Sequence, residues 1–409
     1  MHWMIYGKTV SYVNEAVLQL VKQLGDAKSG KKVAIFSNKT LDYYIEEEAN
    51  HDVFALTEGT GRSLATLSSG EKKKALLTYL LKQEPECIIL DNPFENLDVE
   101  TRSELRARLN ELSASVQLIL IARRYDDCLE TIVNMVFLKD DKVVFKGEKR
   151  AFDIHQIHSN HRFPNKVPDA PHPFDLKTDE LVVFNNVSVQ YEGYPVLNHV
   201  SWQVKQGEFW QLKGPNGSGK TTMLTMINGD NPKAFGQDIW LFGQKKGSGE
   251  TVWDIKKNIG YFTPSMILRF HTYCTLEDMV ISGLLDSIGL YQKVSDLQRD
   301  LAREWIDFMG LKQVAHSNFA DASDIVQRMV LIARAMIKHP PLLILDEPTA
   351  GLDDESSLFL SQLINRIASE SRTAILFVSH RVESGLHPER ILTLTPGEGG
   401  SVATIMSVR

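Results

Sequence analysis

Nine residues, GPNGSGKTT from Gly214 to Thr222, have the spacing of a loop that wraps a chain of phosphates. Gly214, Gly217 and Gly219 permit backbone angles that aim successive N–H groups at phosphate oxygens, and Pro215, Asn216 and Ser218 complete the loop between them. Lys220 would reach the β- and γ-phosphates, the Thr221 hydroxyl would ligate Mg²⁺, and Thr222 would touch the α-phosphate. A second chemical cluster ends the apolar run LLILDEP, where Asp346 would hold Mg²⁺ through water. Glu347, next to it, can polarise an attacking water as a general base. His380 follows another apolar run and would contact the γ-phosphate. Upstream, Tyr191 stands where a ring can stack on a base, and Tyr194 is close enough to do the same. Together these residues imply a nucleoside triphosphate site with Lys220, Glu347 and His380 as its catalytic groups.

Such residues need rigid elements beneath them. Phe209–Lys213 reads as the strand before the loop and Met223–Ile227 as the helix after it, the context this motif requires. The helix start near Lys220 adds the positive end of its dipole. The continuous apolar runs before Asp346 and His380 are typical of parallel strands buried on both faces.

The same landmarks recur nearer the N-terminus, broken in different places. His2–Gly7 matches Phe209–Gly214, Val33–Asn38 matches Ile259–Pro264, and Leu118–Arg124 matches Ile375–Arg381. Seven positions separate Asp91 from Asp98, as they do Asp346 from Asp353. Twenty-four positions run from Leu67 to Asp91 and again from Ala322 to Asp346. This register places Val13 opposite Lys220, Asn14 opposite Thr221, Asn92 opposite Glu347 and Arg123 opposite His380. Valine cannot supply the lysine charge, bulky Val10 and Tyr12 block close backbone approach, and an amide takes up no proton near neutral pH. The first copy is also shorter between its landmarks, and it starts at its phosphate-loop strand, with nothing corresponding to the part of Val182–Leu212 that precedes that strand.

What the first copy retains is LSSGE, Leu67–Glu71, opening an apolar helix from Ala75 to Leu81. The N–H groups and dipole at the start of that helix would favour an anion, and Ser68 would add a hydroxyl donor. Lys72, Lys73 and Lys74 read as a solvated or interface face. In the second copy the matching slot holds ASDIV, Ala322–Val326, where Asp324 adds negative charge and Ile325 bulk.

The bulk properties set limits. With 409 residues the chain has room for two or three domains, each with its own core. Hydrophobic content of 43% and charged content of 24% are those of a soluble globular protein, and no stretch approaches the roughly 18 apolar residues of a membrane span. The first ten residues lack the features of a signal peptide, and three cysteines without metal spacing suit a reducing cytoplasm. A net charge of −7 argues against a broad grip on nucleic acid. Residues 151–178, rich in proline and histidine, read as an exposed linker between domains at 1–150 and 179–409. His155, His158 and His161 lie in it without a cysteine or fixed carboxylate nearby, so solvation outweighs metal binding there.

These motifs together resemble the ATP-binding cassette (ABC) ATPases over almost the whole chain outside the linker. The short first repeat and the segment after Phe262 are similar to the tandem molybdate-transport-type (ModF/PhrA) group. The resemblance implies an α/β fold of two P-loop cassettes, each a mainly parallel sheet flanked by helices with a helical subdomain, and an antiparallel β subdomain mainly in the second. It implies ATP as substrate, Mg²⁺ as cofactor, and pairing of the two cassettes within one chain. Ser68, Ser69 and Gly70 of the LSSGE signature would then complete the site built on the Walker A loop of the second cassette, leaving one sound site and one dead one. Partners implied are a membrane permease at the inner face of the plasma membrane; a ribosome is disfavoured by the short, proline-rich linker and the acidic charge. The glutamine expected after Phe262 is absent, with Thr263, Pro264 and Ser265 in its place. A soluble regulatory or translation-type ATPase therefore stands as the alternative, and a non-hydrolysing ATP clamp as a third reading.

Overall fold

The computed structural model describes residues 1–24, 32–58, 62–153, 163–170, 176, 178–270, 274–285, 293–381 and 383–408. They form two compact units, one of Met1–Ser159 with Gly351–Glu355, the other of Asn160–Ala350 with Ser356–Arg409. The triplet His155, His158 and His161 lies outside the described residues.

In the first unit, β1 (Trp3–Gly7), β2 (Val33–Phe36), β3 (Cys87–Asp91), β4 (Gln117–Ala122), β5 (Asn134–Lys139) and β6 (Lys142–Glu148) form one sheet in the order β2-β3-β4-β1-β5-β6. All neighbours are parallel except β5 and β6. Alternation along the strands divides the core: Met4, Tyr6, Ile88, Leu90, Leu118 and Leu120 fill one face, while Ile5, Cys87, Ile89, Ile119 and Ile121 fill the other. Both faces are dry, which is why these strands read as unbroken apolar runs rather than alternating ones.

The second unit contains β7 (Glu180–Tyr191), β8 (Tyr194–Lys205), β9 (Phe209–Lys213), β10 (Asp238–Leu241), β11 (Gln244–Lys245), β12 (Ile259–Phe262), β13 (Leu342–Asp346), β14 (Ala374–Ser379), β15 (Arg390–Thr395) and β16 (Val402–Ser407). Its main sheet runs β12-β13-β14-β9-β15-β16, again parallel except for the last pair. Strand for strand this is the order of the first unit, so the sequence repeat is a repeat of topology. A four-stranded antiparallel sheet, β11-β10-β7-β8, is added in the second unit. Its long hairpin turns on Glu192 and Gly193, both at positive φ (50° and 86°), as a two-residue loop between twisted strands requires.

The inserts differ as the spacings predict. Helices Asn38–His51 and Ser69–Lys82 serve the first unit, while Ser265–Arg269, Leu276–Ser282, Asp296–Phe308 and Asp324–Met336 occupy the corresponding stretch of the second. Gly351–Glu355 belongs to the first unit through Asp354, whose Oδ2 accepts from the Tyr6 hydroxyl (2.8 Å) and the Tyr125 amide (2.7 Å). Burial and that carboxylate push the Tyr6 phenol far above its ordinary pKa.

One expectation needs correction. The linker is not solvated throughout: Phe163 stacks between Phe308 and Phe359 with centroids 5.5 and 5.0 Å away, and the Val167 amide donates to Glu370 (2.9 Å). An aromatic ring amid polar residues finds an apolar slot when one is within reach, whatever its neighbours suggest.

In the second unit, Glu250 is enclosed with Lys246 (Nζ–Oε1 3.1 Å) and accepts from the Gly247 amide (2.7 Å). Burial opposes its ionisation, but these bonds outweigh burial and hold its pKa at about 2 against an ordinary 4.5. A depressed carboxyl pKa stabilises the fold above its unfolded value and loses that contribution as pH falls. Glu250→Gln is therefore expected to cost on the order of 2–3 kcal/mol at pH 7 in urea unfolding, with the difference from wild type shrinking between about pH 4.5 and 2. A difference that stays constant over that window would refute the assignment.

Candidate active site

The phosphate loop follows β9 and enters the helix Lys220–Ile227 through Gly219, which caps it at φ 90°. A Cβ at Gly219 would meet Leu197 Cδ2 at 2.7 Å, so both the backbone angle and the close approach of β8 demand glycine. Gly214 is equally confined, with Ser218 Oγ 2.4 Å from where a Cβ would stand. Gly217 also has positive φ (76°). Lys220 is buried, and its Nζ donates to the Gly214 carbonyl (2.7 Å) and the Pro215 carbonyl (2.9 Å), which centres the ammonium in the ring of the loop. Asn216 and Thr221 are exposed at the loop rim and Thr222 is half-buried behind it.

Parallel pairing of β13 with β14 brings the other two clusters together. The Glu347 amide donates to the Val378 carbonyl (2.9 Å), and its Oε1 lies 3.1 Å from His380 Nδ1. Glu347 holds φ 49°, a left-handed angle unusual for a residue with a side chain. Burial opposes ionisation of Glu347, but the His380 hydrogen bond and the charges of His380, Lys220 and Arg381 outweigh it and lower its pKa. Burial raises the pKa of Asp346 and the Glu347 charge adds to that, while Tyr261 and Lys220 pull the other way. The Tyr261 hydroxyl donates to Asp346 Oδ2 (3.3 Å).

Ser218 Oγ and His380 Nε2 are buried without a hydrogen-bond partner among the described residues. Such groups are costly unless something completes them. Phosphate oxygens would do so at both, and the cationic loop with an ionised Glu347 fits a triphosphate and its attacking water. Asp346 and Thr221 supply the oxygen donors that Mg²⁺ takes.

Tyr191 lies at the tip of the β7–β8 hairpin, its hydroxyl accepting from Asn231 (2.8 Å) with Lys233 Nζ 5.7 Å from its ring centre. Tyr194, at 76% exposure against 38%, has less to hold it in place.

The first unit keeps the frame but places other residues in it. Asn92 has φ 46° and donates its amide to Ile121 (2.9 Å), as Glu347 does to Val378. Asp91, opposite Asp346, accepts at one oxygen from Ser11 Oγ (2.9 Å) and the Tyr12 amide (3.0 Å). The loop thus closes on its own carboxylate, and Val13 points outward at 61% exposure. Ser68, however, is a well-formed N-cap: it accepts from the Glu71 amide while the Glu71 side chain accepts from its own, leaving the hydroxyl proton free to point elsewhere. Ser69 Oγ donates to the Asn96 carbonyl (3.0 Å), and Gly70 is buried against Thr101. In the second unit the corresponding Ser323 makes no side-chain cap bond.

The lysine run is not solvated throughout, contrary to what its sequence suggests. Lys74 is exposed and paired with Glu104, but Lys73 is buried and donates to the Pro93 and Glu95 carbonyls (2.9 and 2.7 Å). Sequence reasoning also missed Arg328 and Tyr261. The repeat register offered a sign for Arg328, since it stands opposite Lys73, whereas nothing in the sequence marked Tyr261.

A glycine-rich loop at the end of a central parallel strand, facing an Asp-Glu pair and a histidine on the neighbouring strands, defines a P-loop nucleotide hydrolase, here with its frame present twice. The family model described as ABC transporter matches residues 197–350. ABC transporter ATP-binding protein ModF of Escherichia coli is 40% identical over 81% of this chain and 70% of its own length. An uncharacterised ABC transporter ATP-binding protein of Schizosaccharomyces pombe is 30% identical over 84% of this chain and 70% of its own. A solved RNase-L Inhibitor, 15% identical, aligns over 100% of this chain and 86% of its own with a TM-score of 0.63, a likeness of fold. The chain belongs to the ABC transporter ATP-binding family, in the tandem ModF-like branch, and is an ATP hydrolase.

Proposed function

We propose that ATP is hydrolysed at a single composite site. The phosphate loop of the second cassette (179–409) would hold the nucleotide, Tyr191 would stack on adenine, and Ser68, Ser69 and Gly70 of the first cassette (1–150) would close over the γ-phosphate. Residues 151–178 join the two. Glu347 takes a proton from water as its oxygen attacks the γ-phosphorus, the bond to the bridging oxygen breaks, and ADP leaves; Lys220 and His380 stabilise charge on the transferred group. Mg²⁺ on Thr221 and Asp346 would neutralise the β- and γ-oxygens.

The observation that carries this reading is the opposite distribution of defects. The second cassette has the completed loop and Glu347 but an uncapped Ser323, while the first has a capped Ser68 but a loop closed on Asp91. Ser68→Arg is expected to lower steady-state ATP hydrolysis about 100-fold, and Ser323→Arg by less than about 3-fold. Equal effects of the two would overturn the composite site. Closure within one chain predicts a monomer.

Similarity to ModF supports service to an ABC transport system, of molybdate type by resemblance, with a membrane permease as partner at the cytoplasmic face. No helix among the described residues is long and apolar enough to cross a membrane. Thr263, Pro264 and Ser265 in the slot of the usual glutamine favour the second reading, a soluble tandem ATPase uncoupled from transport. Affinity capture of the full chain from its native cell separates the two: a co-purifying permease that stimulates hydrolysis supports the first, and a ribosome the second.

A further inference from the structure

We propose that Arg328 is a positioning residue for Glu347, acting through the backbone of the loop that carries it; this rests on Glu347 being the base. Arg328 sits on the helix Asp324–Met336, is 6% exposed, and donates from Nη1 to the Pro348 carbonyl (2.5 Å) and from Nη2 to the Ala350 carbonyl (2.7 Å). Burying a guanidinium is costly unless its protons are met, and these two carbonyls, spaced to suit the planar fork, meet two of them. The carbonyls belong to the turn that begins at Glu347, closed by the Ala350 amide on the Glu347 carbonyl (3.1 Å). Within that turn Glu347 holds its left-handed angle, which a free loop would leave. Its amide is fixed on Val378 and its carboxylate on His380. Arg328 thus grips the loop from the side of the helix while β14 grips it from the other.

The first unit supplies an independent copy of the device. Lys73, six positions after Leu67 as Arg328 is after Ala322, donates to the carbonyls of Pro93 and Glu95, the register partners of Pro348 and Ala350. Asn92 there holds the same left-handed angle. A buried cation bridging the same two carbonyls in both units, through different side chains, marks the bridge itself as what the position provides. It also gives the second helix a role that survives the uncapped serine at its start.

The test compares Arg328→Gln, Arg328→Lys and Glu347→Gln in the purified full chain, reading kcat and KM for ATP hydrolysis, equilibrium ATP binding and Tm. Arg328→Gln should lower kcat about 30-fold, the scale of a sub-ångström displacement of a reacting group, with KM and ATP affinity within about 2-fold of wild type. Arg328→Lys, which rebuilds the bridge as Lys73 does, should recover kcat to within about 3-fold. The inference is overturned if Arg328→Gln leaves kcat unchanged, or if kcat, ATP affinity and Tm fall together. If Arg328→Gln does not fold, Arg328→Lys decides: kcat within about 3-fold of wild type supports the bridge, and loss of turnover overturns it. Turnover persisting in Glu347→Gln would instead refute the base assignment, a distinct failure.

Discussion

Replacing Lys220 by alanine is expected to lower kcat/KM for ATP about 1,000-fold or more, the largest effect of any single change in this protein. The ammonium is buried, held by two carbonyls of its own loop, and would be the nearest fixed positive charge to the transferred phosphoryl group. Its removal acts twice. The γ-phosphate loses its charge partner, and the acidic pair loses a cation that now favours the ionised forms of both Asp346 and Glu347. Arginine should not rescue, because its planar fork does not fit a ring of carbonyls shaped around a point charge. The converse change, Val13→Lys in the first unit, should add no activity: that position faces solvent and the loop is bonded to Asp91. Phosphate release by Lys220→Ala within about 3-fold of wild type would remove the nucleotide site from this loop.

Glu347→Gln should be nearly as severe in kcat, by about 100- to 1,000-fold, and opposite in its effect on binding. The amide keeps the shape and can still meet His380, now at 3.1 Å, but it cannot accept a proton from water. It also removes a negative charge from beside the phosphates. Nucleotide should therefore bind at least as tightly as in wild type, with ATP persisting through many turnover times in a single-turnover assay. A wild-type chain that likewise fails to hydrolyse in that assay would establish the clamp reading instead. Asn92 likewise places an amide where the second unit has a carboxylate, one methylene shorter and in the same left-handed backbone.

The two changes separate what was legible from what was not. The strands that carry the site were readable because each is an apolar run of strand length ending in its functional residue: Phe209–Lys213, Leu342–Asp346 and Ala374–Ser379 stand where the runs do. The repeat register carried the comparison further, to Asn92 and Arg123, which follow β3 and β4 as Glu347 and His380 follow β13 and β14, because sheets of one strand order place equal registers at equal strand ends. Lys73 was misread because three consecutive lysines look alike in sequence, and burial selects one of them by the helix face it falls on. Phe163 was misread because its polar surroundings hid the two rings it joins.

Residue type and spacing by themselves determined the class of fold and the order of its landmarks, and they set the complete second phosphate loop apart from the first. Those properties are local: a glycine's freedom, a lysine's charge or an amide's inability to take a proton is the same wherever the chain goes. Tertiary structure alone decided which polar atoms meet. The Tyr261 bond to Asp346, the closure of Ser11 and Tyr12 on Asp91, and the Arg328 bridge join residues 85, 80, 79, 20 and 22 positions apart. A buried polar group needs a partner at about 3 Å, and only the packed chain, not the order of residues along it, says which one arrives there.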